Sequence, residues 1–460
     1  MDSSHEEAAS DPLAAPSTTT ANPGSHSGCG AEAAAATAAP ILTQTNCFVP
    51  PSKSIGSGKN VLRYTPQSPA WHCTFSRNGE WLAACFGAPT PCIRIWRHQK
   101  VYVAVEQQQQ LDRDKKKLQL QHNHQYHQES RSNPDDFHTD STWVLHSTLE
   151  GIHERTIRCI AFCPLSKSTV LAAASFDATV TIWEHNSTNQ NNNNDEWECT
   201  TQLEGHDNEV KYVAWNATGS LLATCGRDKT VWLWETYMDG TIGGSMESDD
   251  FECIAVLNGH EGDVKCVQFA PSHDIWGDGD EIVLSASYDD TIKVWAEDAG
   301  DWYCAFSIDD VHKDTIWSLS LSPGGGRLVS GSADGSLAVL KSYSPKERKE
   351  RFPDLPDSSN GLWKCVGMLD GAHKQSTVYS VDYAPARAGH GRIASSGADN
   401  RIQVYREVSG STSDQPIFAL DASVETNHGD VNCVCWHPRD GSILCSAGDD
   451  GTVRLWRFEL

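Results

Sequence analysis

A histidine followed some twenty to thirty residues later by an aspartate in a turn recurs six times along this chain. The histidines are His153, His206, His260, His312, His373 and His428, and the aspartates are Asp177, Asp228, Asp289, Asp334, Asp399 and Asp450. Most of the turns lead into a short apolar stretch ending in Trp, as in TCGRDKTVWLW with Asp228 and Trp234. A repeat of roughly fifty to sixty residues marks a solenoid, propeller or array and not an ordinary globular domain. It also gives the eye-catching His, Asp and Trp residues a scaffolding role, because an active site needs one constellation and not six copies.

Seven segments align around this pattern, starting at Trp71, Ile157, Val210, Val264, Ile316, Val378 and Val431. Each gives an alternating strand (IRCIAF, VKYVAW, VKCVQF), a polar turn and a second apolar strand (VLAAAS, LLATCG). The Asp turn and a third strand (TVTIW, TVWLW, TIKVW) come next, and a fourth strand precedes the following His. Period-two alternation punctuated by turns specifies strands. Four antiparallel strands per repeat in radial array make a β-propeller blade. The pattern resembles the WD repeat, without the final Asp of that dipeptide. The expected fold is therefore all-β, a seven-bladed WD-repeat propeller spanning 61–460 behind a disordered tail, 1–60. The chain ends just after a third strand, so Val61–Tyr64 is expected to supply the missing outer strand and close the ring.

The repeats need roughly 300 residues, so the surplus must be insertions. Four fall between third and fourth strands: 97–140, Asn186–Asp195, Thr236–Asp250 and Ser342–Gly361. A fifth, Ser272–Glu281, falls between first and second strands. Both connections emerge on one face of a propeller, which leaves the opposite face bare. These polar, low-complexity insertions read as disordered loops, and His122, His124 and His127 within them read as solvated rather than metal-ligating.

The net charge is −25, with 61 acidic and 36 basic residues, which argues against nucleic acid as the main partner. No run of apolar residues is long enough for a membrane span, and the first sixty residues lack the features of a secretory or mitochondrial leader. The sixteen Cys include no CxxC pair, so they are read as reduced core thiols of an intracellular protein, with no metal or cofactor site. No GxSxG, HExxH or phosphate-loop motif is present, and no enzymatic activity is expected.

In each blade the imidazole can donate to the turn carboxylate and accept from a second-strand hydroxyl, and the third-strand indole can complete the chain. Hydroxyls stand four residues before the Asp at Thr224, Ser285, Ser330, Ser395 and Ser446; blade two has Ala173 there, which predicts a shorter network. The third-strand Trp becomes Leu340 in blade five and Tyr405 in blade six, and blade one lacks both His and Asp. Blade one is therefore expected to be the least rigid.

Positions that differ between blades on the bare face are the candidates for partner contact. The residue before each turn Asp gives Phe176, Arg227, Tyr288, Ala333, Ala398 and Asp449; the polar or aromatic residue early in each first strand gives Arg158, Lys211, Lys265, Trp317, Tyr379 and Asn432. Arg, Tyr and Trp dominate protein–protein hot spots. Blades two to five thus present a basic and aromatic arc suited to an acidic, aromatic-bearing partner.

Every resolved fourth strand opens with an aromatic, a spacer and Cys: Trp197–Cys199, Phe251–Cys253, Trp302–Cys304 and Trp363–Cys365. With WECTTQLEGHDNEVKYVAWNATGSLLATCGRDKTVWLWE and FECIAVLNGHEGDVKCVQF, the chain resembles the WD-repeat subunit of the cytosolic iron–sulfur protein assembly machinery. The likeness runs from about Pro69 to Trp456. It implies a non-enzymatic scaffold that joins other assembly components and helps deliver clusters to cytosolic and nuclear apoproteins, and it singles out Arg227 within CGRDKTVWLW. The rival reading is a generic WD-repeat adaptor, either a ubiquitin-ligase substrate receptor or a peptide reader. The former often carries WDxR after a third strand, where this chain has IWEHN, LWETY, VWAED and LWRFE.

Overall fold

The computed structural model describes residues 41–48, 68–101, 140–164, 169–187, 195–236, 251–273, 275–355, 360–385 and 391–459. The remaining stretches lie outside the described residues. They include Val61–Tyr64, the rest of the expected tail, His122, His124 and His127, and most of the insertions near 97–140, 186–195 and 236–250.

Among the described residues there are seven four-stranded antiparallel sheets. Blade two shows the plan, with strands Ile157–Phe162, Thr169–Ser175, Val180–Ser187 and Asp195–Leu203 in spatial order. The innermost strand of each blade packs against those of its neighbours, and blade seven's packs against blade one's. The second strands are the most deeply buried, as in Trp81–Phe86, where every residue is shielded. Apolar residues on both faces of these strands pack against the flanking blades, which is why they read as near-continuous apolar runs.

The ring is closed by a strand from the N-terminal side, but not at Val61–Tyr64. Ile41–Phe48 pairs antiparallel with the last strand, Val453–Glu459, from Ile41 opposite Glu459 to Phe48 opposite Val453. The sequence ILTQTNCF hides this role. An outermost strand buries few side chains, here chiefly Leu42, while Phe48 packs at a tilt against Trp96 of blade one, ring centres 4.9 Å apart. Thr45 adds a hydroxyl bond to the Leu455 carbonyl at 3.2 Å.

Among their described residues, two insertions are built structure and not disordered loops. In Ser272–Glu281, Trp276 is 1% exposed and joins a core with Trp363. The Ser272 hydroxyl donates to the Trp276 carbonyl at 2.9 Å. In Ser342–Gly361 a short helix, Pro345–Arg351, has a complete capping box: Ser344 Oγ accepts from the Glu347 amide, and the Glu347 carboxylate accepts from the Ser344 amide. Ser at the N-cap, Pro next and Glu at the third helical position form a recognisable start signal. The Gly361 amide donates to the Ile275 carbonyl at 3.2 Å, tying the two insertions together.

The aromatic–spacer–Cys pattern occupies a fixed place in the backbone. In blades two to five the fourth strand carries a β-bulge one residue after the Cys, and the Cys lies opposite the middle of the third strand: Cys199 opposite Trp183, Cys253 opposite Trp234, Cys304 opposite Trp295, Cys365 opposite Leu340. Each thiol donates weakly to the carbonyl two residues on, between 3.5 and 3.8 Å. A small, adaptable donor suits a carbonyl displaced by the bulge.

Candidate functional site

The His–Asp frame holds the loops of one face. His Nδ1 meets the turn carboxylate at 2.8 Å in His153–Asp177, 2.6 Å in His206–Asp228, 2.8 Å in His260–Asp289, 3.3 Å in His312–Asp334, 2.8 Å in His373–Asp399 and 2.8 Å in His428–Asp450. An ionised carboxylate only accepts, so Nδ1 donates, and in the neutral ring Nε2 is left to accept. It does so from Thr224, Ser285, Ser330, Ser395 and Ser446 between 2.7 and 2.9 Å. The indoles of Trp234, Trp295 and Trp456 donate to the same oxygens.

Blade two corrects the sequence reading. Its network is not shortened by Ala173, because Thr181, the cross-strand partner of Ala173, supplies the hydroxyl. Thr181 Oγ1 lies 2.8 Å from His153 Nε2 and accepts from the Trp183 indole at 2.9 Å. Facing residues of adjacent strands share a side of the sheet, so the hydroxyl is transposed and not lost. In blade six, where Tyr405 replaces Trp, its hydroxyl donates to Gln403 instead.

The candidate contact residues share a second device. Each first strand carries a bulge at its second residue. In blade three, for example, the pairing passes from Val210 directly to Tyr212, leaving Lys211 unpaired. The same break sets aside Trp71, Arg158, Lys265, Trp317, Tyr379 and Asn432. Bulges re-aim side chains, and these seven lie around the mouth of the central channel. The residue before each turn Asp is brought beside them by a backbone bond. The amides of Phe176, Arg227 and Tyr288 donate to the carbonyls of Thr156, Glu209 and Asp263, between 2.8 and 2.9 Å.

Around this ring, neighbours interlock. Arg158 stacks on Trp71 at 5.3 Å, Lys211 on Phe176 at 4.1 Å, and Lys265 on Trp317 at 5.0 Å and Tyr288 at 5.6 Å. Trp317 meets Tyr379 edge-on at 5.3 Å, and the Tyr379 hydroxyl donates to Asp430 at 3.1 Å. Burial and the Asp430 charge push that phenol up to about 12. Tyr288 is 62% exposed and Arg227 is exposed, while Arg158, Lys211 and Trp317 are half-buried.

Sequence reading missed the carboxylate that organises the basic sector. Glu209 takes Arg155 at 2.6 Å and Lys211 at 2.6 Å, with Arg227 more loosely at 3.7 Å. Burial alone would raise its carboxyl, but the bonds from Lys211 and Arg155 hold it below the ordinary range. Lys265 likewise pairs with Asp263 at 3.1 Å. The arc is therefore less uniformly basic than its sequence suggests. Blades two and three set four cations, Arg155, Arg158, Lys211 and Arg227, against Glu209, whereas burial and Asp314, Asp289 and Asp334 hold Asp290 above the usual carboxylate range. The place of Glu209 directly before a first strand, in NEVKY, was the available signal.

Below the ring lies a channel cavity of about 200 Å³ lined by residues including His72, Tyr212, Asp382, Cys433 and Cys435. Among the described residues two sets of side chains bring three donor atoms within 4.8 Å of one another: Cys73, Cys435 and Cys445, and His146, His185 and Asp195. Cys73 and Cys445 sit fully buried within an apolar cluster, the setting of core thiols.

The family model of the WD domain, G-beta repeat, matches residues 143–184, 197–235, 251–296, 303–339 and 421–457. The chain is 31% identical to the probable cytosolic iron-sulfur protein assembly protein 1 of Botryotinia fuckeliana, over 69% of this chain and 88% of that protein. It is 37% identical to the protein of that name from Candida albicans, over 67% and 86% respectively, and 36% identical to that from Candida dubliniensis, over 69% and 88%. With its WD repeats, its seven blades and this coverage of its relatives, the chain belongs to the family of cytosolic iron-sulfur protein assembly protein 1.

Proposed function

We propose that this chain is a non-catalytic scaffold of the cytosolic iron–sulfur protein assembly machinery. It binds other assembly components and apoprotein clients through the ring at the channel mouth and acts in the cytoplasm and the nucleus. The observation that carries the docking reading is the set of seven bulges, which turn one side chain from each blade toward one face. That face is spared by the insertions, while the frame beneath it repeats. The names of the relatives support the pathway. Among the described residues no helix is long and apolar enough to cross a membrane.

Within the ring, Arg227 is the contact residue of choice. Its side chain is 55% exposed, and its 3.7 Å approach to Glu209 leaves it free to turn outward. Beside it, Phe176, Lys211 and Arg158 offer aromatic and cationic surface. Further round, Lys265, Tyr288, Trp317 and Tyr379 continue it, and the Trp317 indole N–H is buried with no hydrogen-bond partner among the described residues. A partner segment with carboxylates over blades two and three and an acceptor over blade five fits this arrangement.

The test is depletion of the protein in cells, followed by assay of a cytosolic iron–sulfur enzyme, with rescue by wild type or Arg227→Glu. Loss of enzyme activity, restored by wild type and not by the variant, is the expected result. Unchanged activity on depletion would overturn the assembly role, and equal rescue would overturn the assignment of Arg227 alone.

A further inference from the structure

On the face opposite the docking ring, His146 and His185 belong to no repeat position. His146 stands in the fourth strand of blade one, Asp140–Glu150; His185 and Asp195 stand at facing ends of the third and fourth strands of blade two. In blade one the register passes from Ser147 opposite Ile95 to Leu145 opposite Trp96, so His146 is itself the bulge residue. In the next four blades that position holds Thr200, Ile254, Ala305 and Val366. The bulge aims the imidazole at blade two.

Both histidines present Nε2 to one carboxylate. His146 Nε2 lies 3.1 Å from Asp195 Oδ2, and His185 Nε2 lies 2.8 Å from Oδ1. His146 Nδ1 is engaged by the Ser147 hydroxyl at 2.7 Å. When Ser147 accepts that proton, Nε2 turns a lone pair toward the carboxylate, an arrangement that a cation between them completes. The rings are held in place: Trp81 packs against His146 at 5.0 Å and His185 at 4.8 Å, and Trp197 lies 5.2 Å from His185. Side-chain exposure is 13% for His146, 4% for His185 and 56% for Asp195. Two donors are thus anchored in protein, and the third opens to water.

We propose that His146, His185 and Asp195 bind a zinc ion that clamps blade one to blade two. Zinc takes imidazole and carboxylate donors at about 2.0–2.2 Å, which sets neighbouring ligand atoms roughly 3 Å apart. The two nitrogens lie 2.8 and 3.1 Å from the two oxygens of one carboxylate, and all three donors fall within 4.8 Å of one another, so small side-chain adjustments bring them to that spacing. Two nitrogens and an oxygen favour zinc over the hard ions, which prefer all-oxygen sites, and over monovalent copper, which prefers sulfur. Three protein ligands and an open side leave the fourth position to water. The Arg97 guanidinium, 3.6 Å from Asp195 Oδ2 and 41% exposed, is the competing cation and must swing away. The position suits a clamp, because blade one lacks the His–Asp frame that ties the loops of the other blades.

The experiment uses the full chain, stripped of metal by a chelator and dialysed against low-micromolar zinc, with bound zinc measured by elemental mass spectrometry and thermal melts run in parallel. A background carrying His122→Gln, His124→Gln and His127→Gln removes binding by the His-rich insertion. In that background the chain is expected to hold one zinc that Asp195→Asn and His185→Ala lose, with affinity falling at least about tenfold. Zinc should raise the melting temperature only where the site is intact, and Arg97→Ala should tighten binding. Asp195→Asn alters an exposed side chain, so it reports even if His185→Ala fails to fold. Equal zinc content in the intact and Asp195→Asn chains, or a melt that zinc does not shift, would overturn the proposal.

Discussion

Thr181 offers a direct test of the transposed hydroxyl in blade two. Its side chain is fully buried, and its oxygen serves His153 Nε2 at 2.8 Å and the Trp183 indole at 2.9 Å. Thr181→Val keeps the shape and removes the oxygen, leaving two buried polar groups without a partner. At about 1–3 kcal/mol for each, the expected loss of stability is about 2–6 kcal/mol. Thr181→Ser keeps the hydroxyl and removes one methyl, for about 1 kcal/mol. Because Ala173 faces Thr181 across the strand pair, Ala173→Ser added to Thr181→Val restores an oxygen at the position used by five other blades and should recover more than half of the loss. Urea denaturation at pH 7 measures the global change. Amide hydrogen exchange in Thr169–Ser175 and Val180–Ser187 shows whether the opening is local to this blade. Thr181→Val within about 0.5 kcal/mol of wild type, the range of an inconsequential surface change, would refute the reasoning. So would a double variant no more stable than Thr181→Val.

A chain starting after Phe48 should melt lower than one starting at Ile41 and associate with concentration, because Val453–Glu459 then becomes an open edge; light scattering with thermal melts reads this, and identical behaviour would rule out closure by this strand. Stability should hold down to about pH 5 and fall steeply toward pH 2. Burial would raise the Asp177 carboxyl, but bonds from His153, Thr179 and Ser175 bring it down to about 2, and Asp228 and Asp450 are lowered in the same way. A carboxyl lowered on folding stabilises above its unfolded value near pH 4 and loses that contribution as pH falls through the folded one. Asp177→Asn should flatten part of that acid limb in urea titrations at stepped pH. Gly277→Ala should cost about 2–4 kcal/mol by urea denaturation, because Gly277 has φ +61° and a Cβ there would lie 1.9 Å from the Glu297 carbonyl oxygen.

Repetition made the fold legible, and it also set the limits of the reading. The six His–Asp pairs could be found because each is a local pattern at fixed spacing. Thr181 was not found in that pattern because its partnership with His153 crosses between strands, and no fixed offset from Asp177 reveals it. The closing strand escaped because Ile41–Phe48 buries so little that its alternation is faint, and the nearer VLRY looked the better candidate. The Ser272–Glu281 insertion read as a polar loop, although Trp276 at its centre is a core residue. The candidate contact residues of the first strands were picked out from their place early in those strands, but the bulge that re-aims them is a backbone event with no residue signature. The acid that tempers the arc, Glu209, became visible only when three cations from two blades converged on it.

The bulge in each innermost strand separates two demands on the same stretch of chain. On either side of it, Val210 and Val213 are locked into the wall between blades, whereas Lys211 is exempt from the ladder. A substitution there changes a side chain at the mouth of the channel without removing a rung of the pairing that forms the wall. Seven such positions stand around one opening, exempt from the ladder though joined to one another by side-chain contacts. On the proposed docking role, a change at the ring then leaves the strands that carry it paired.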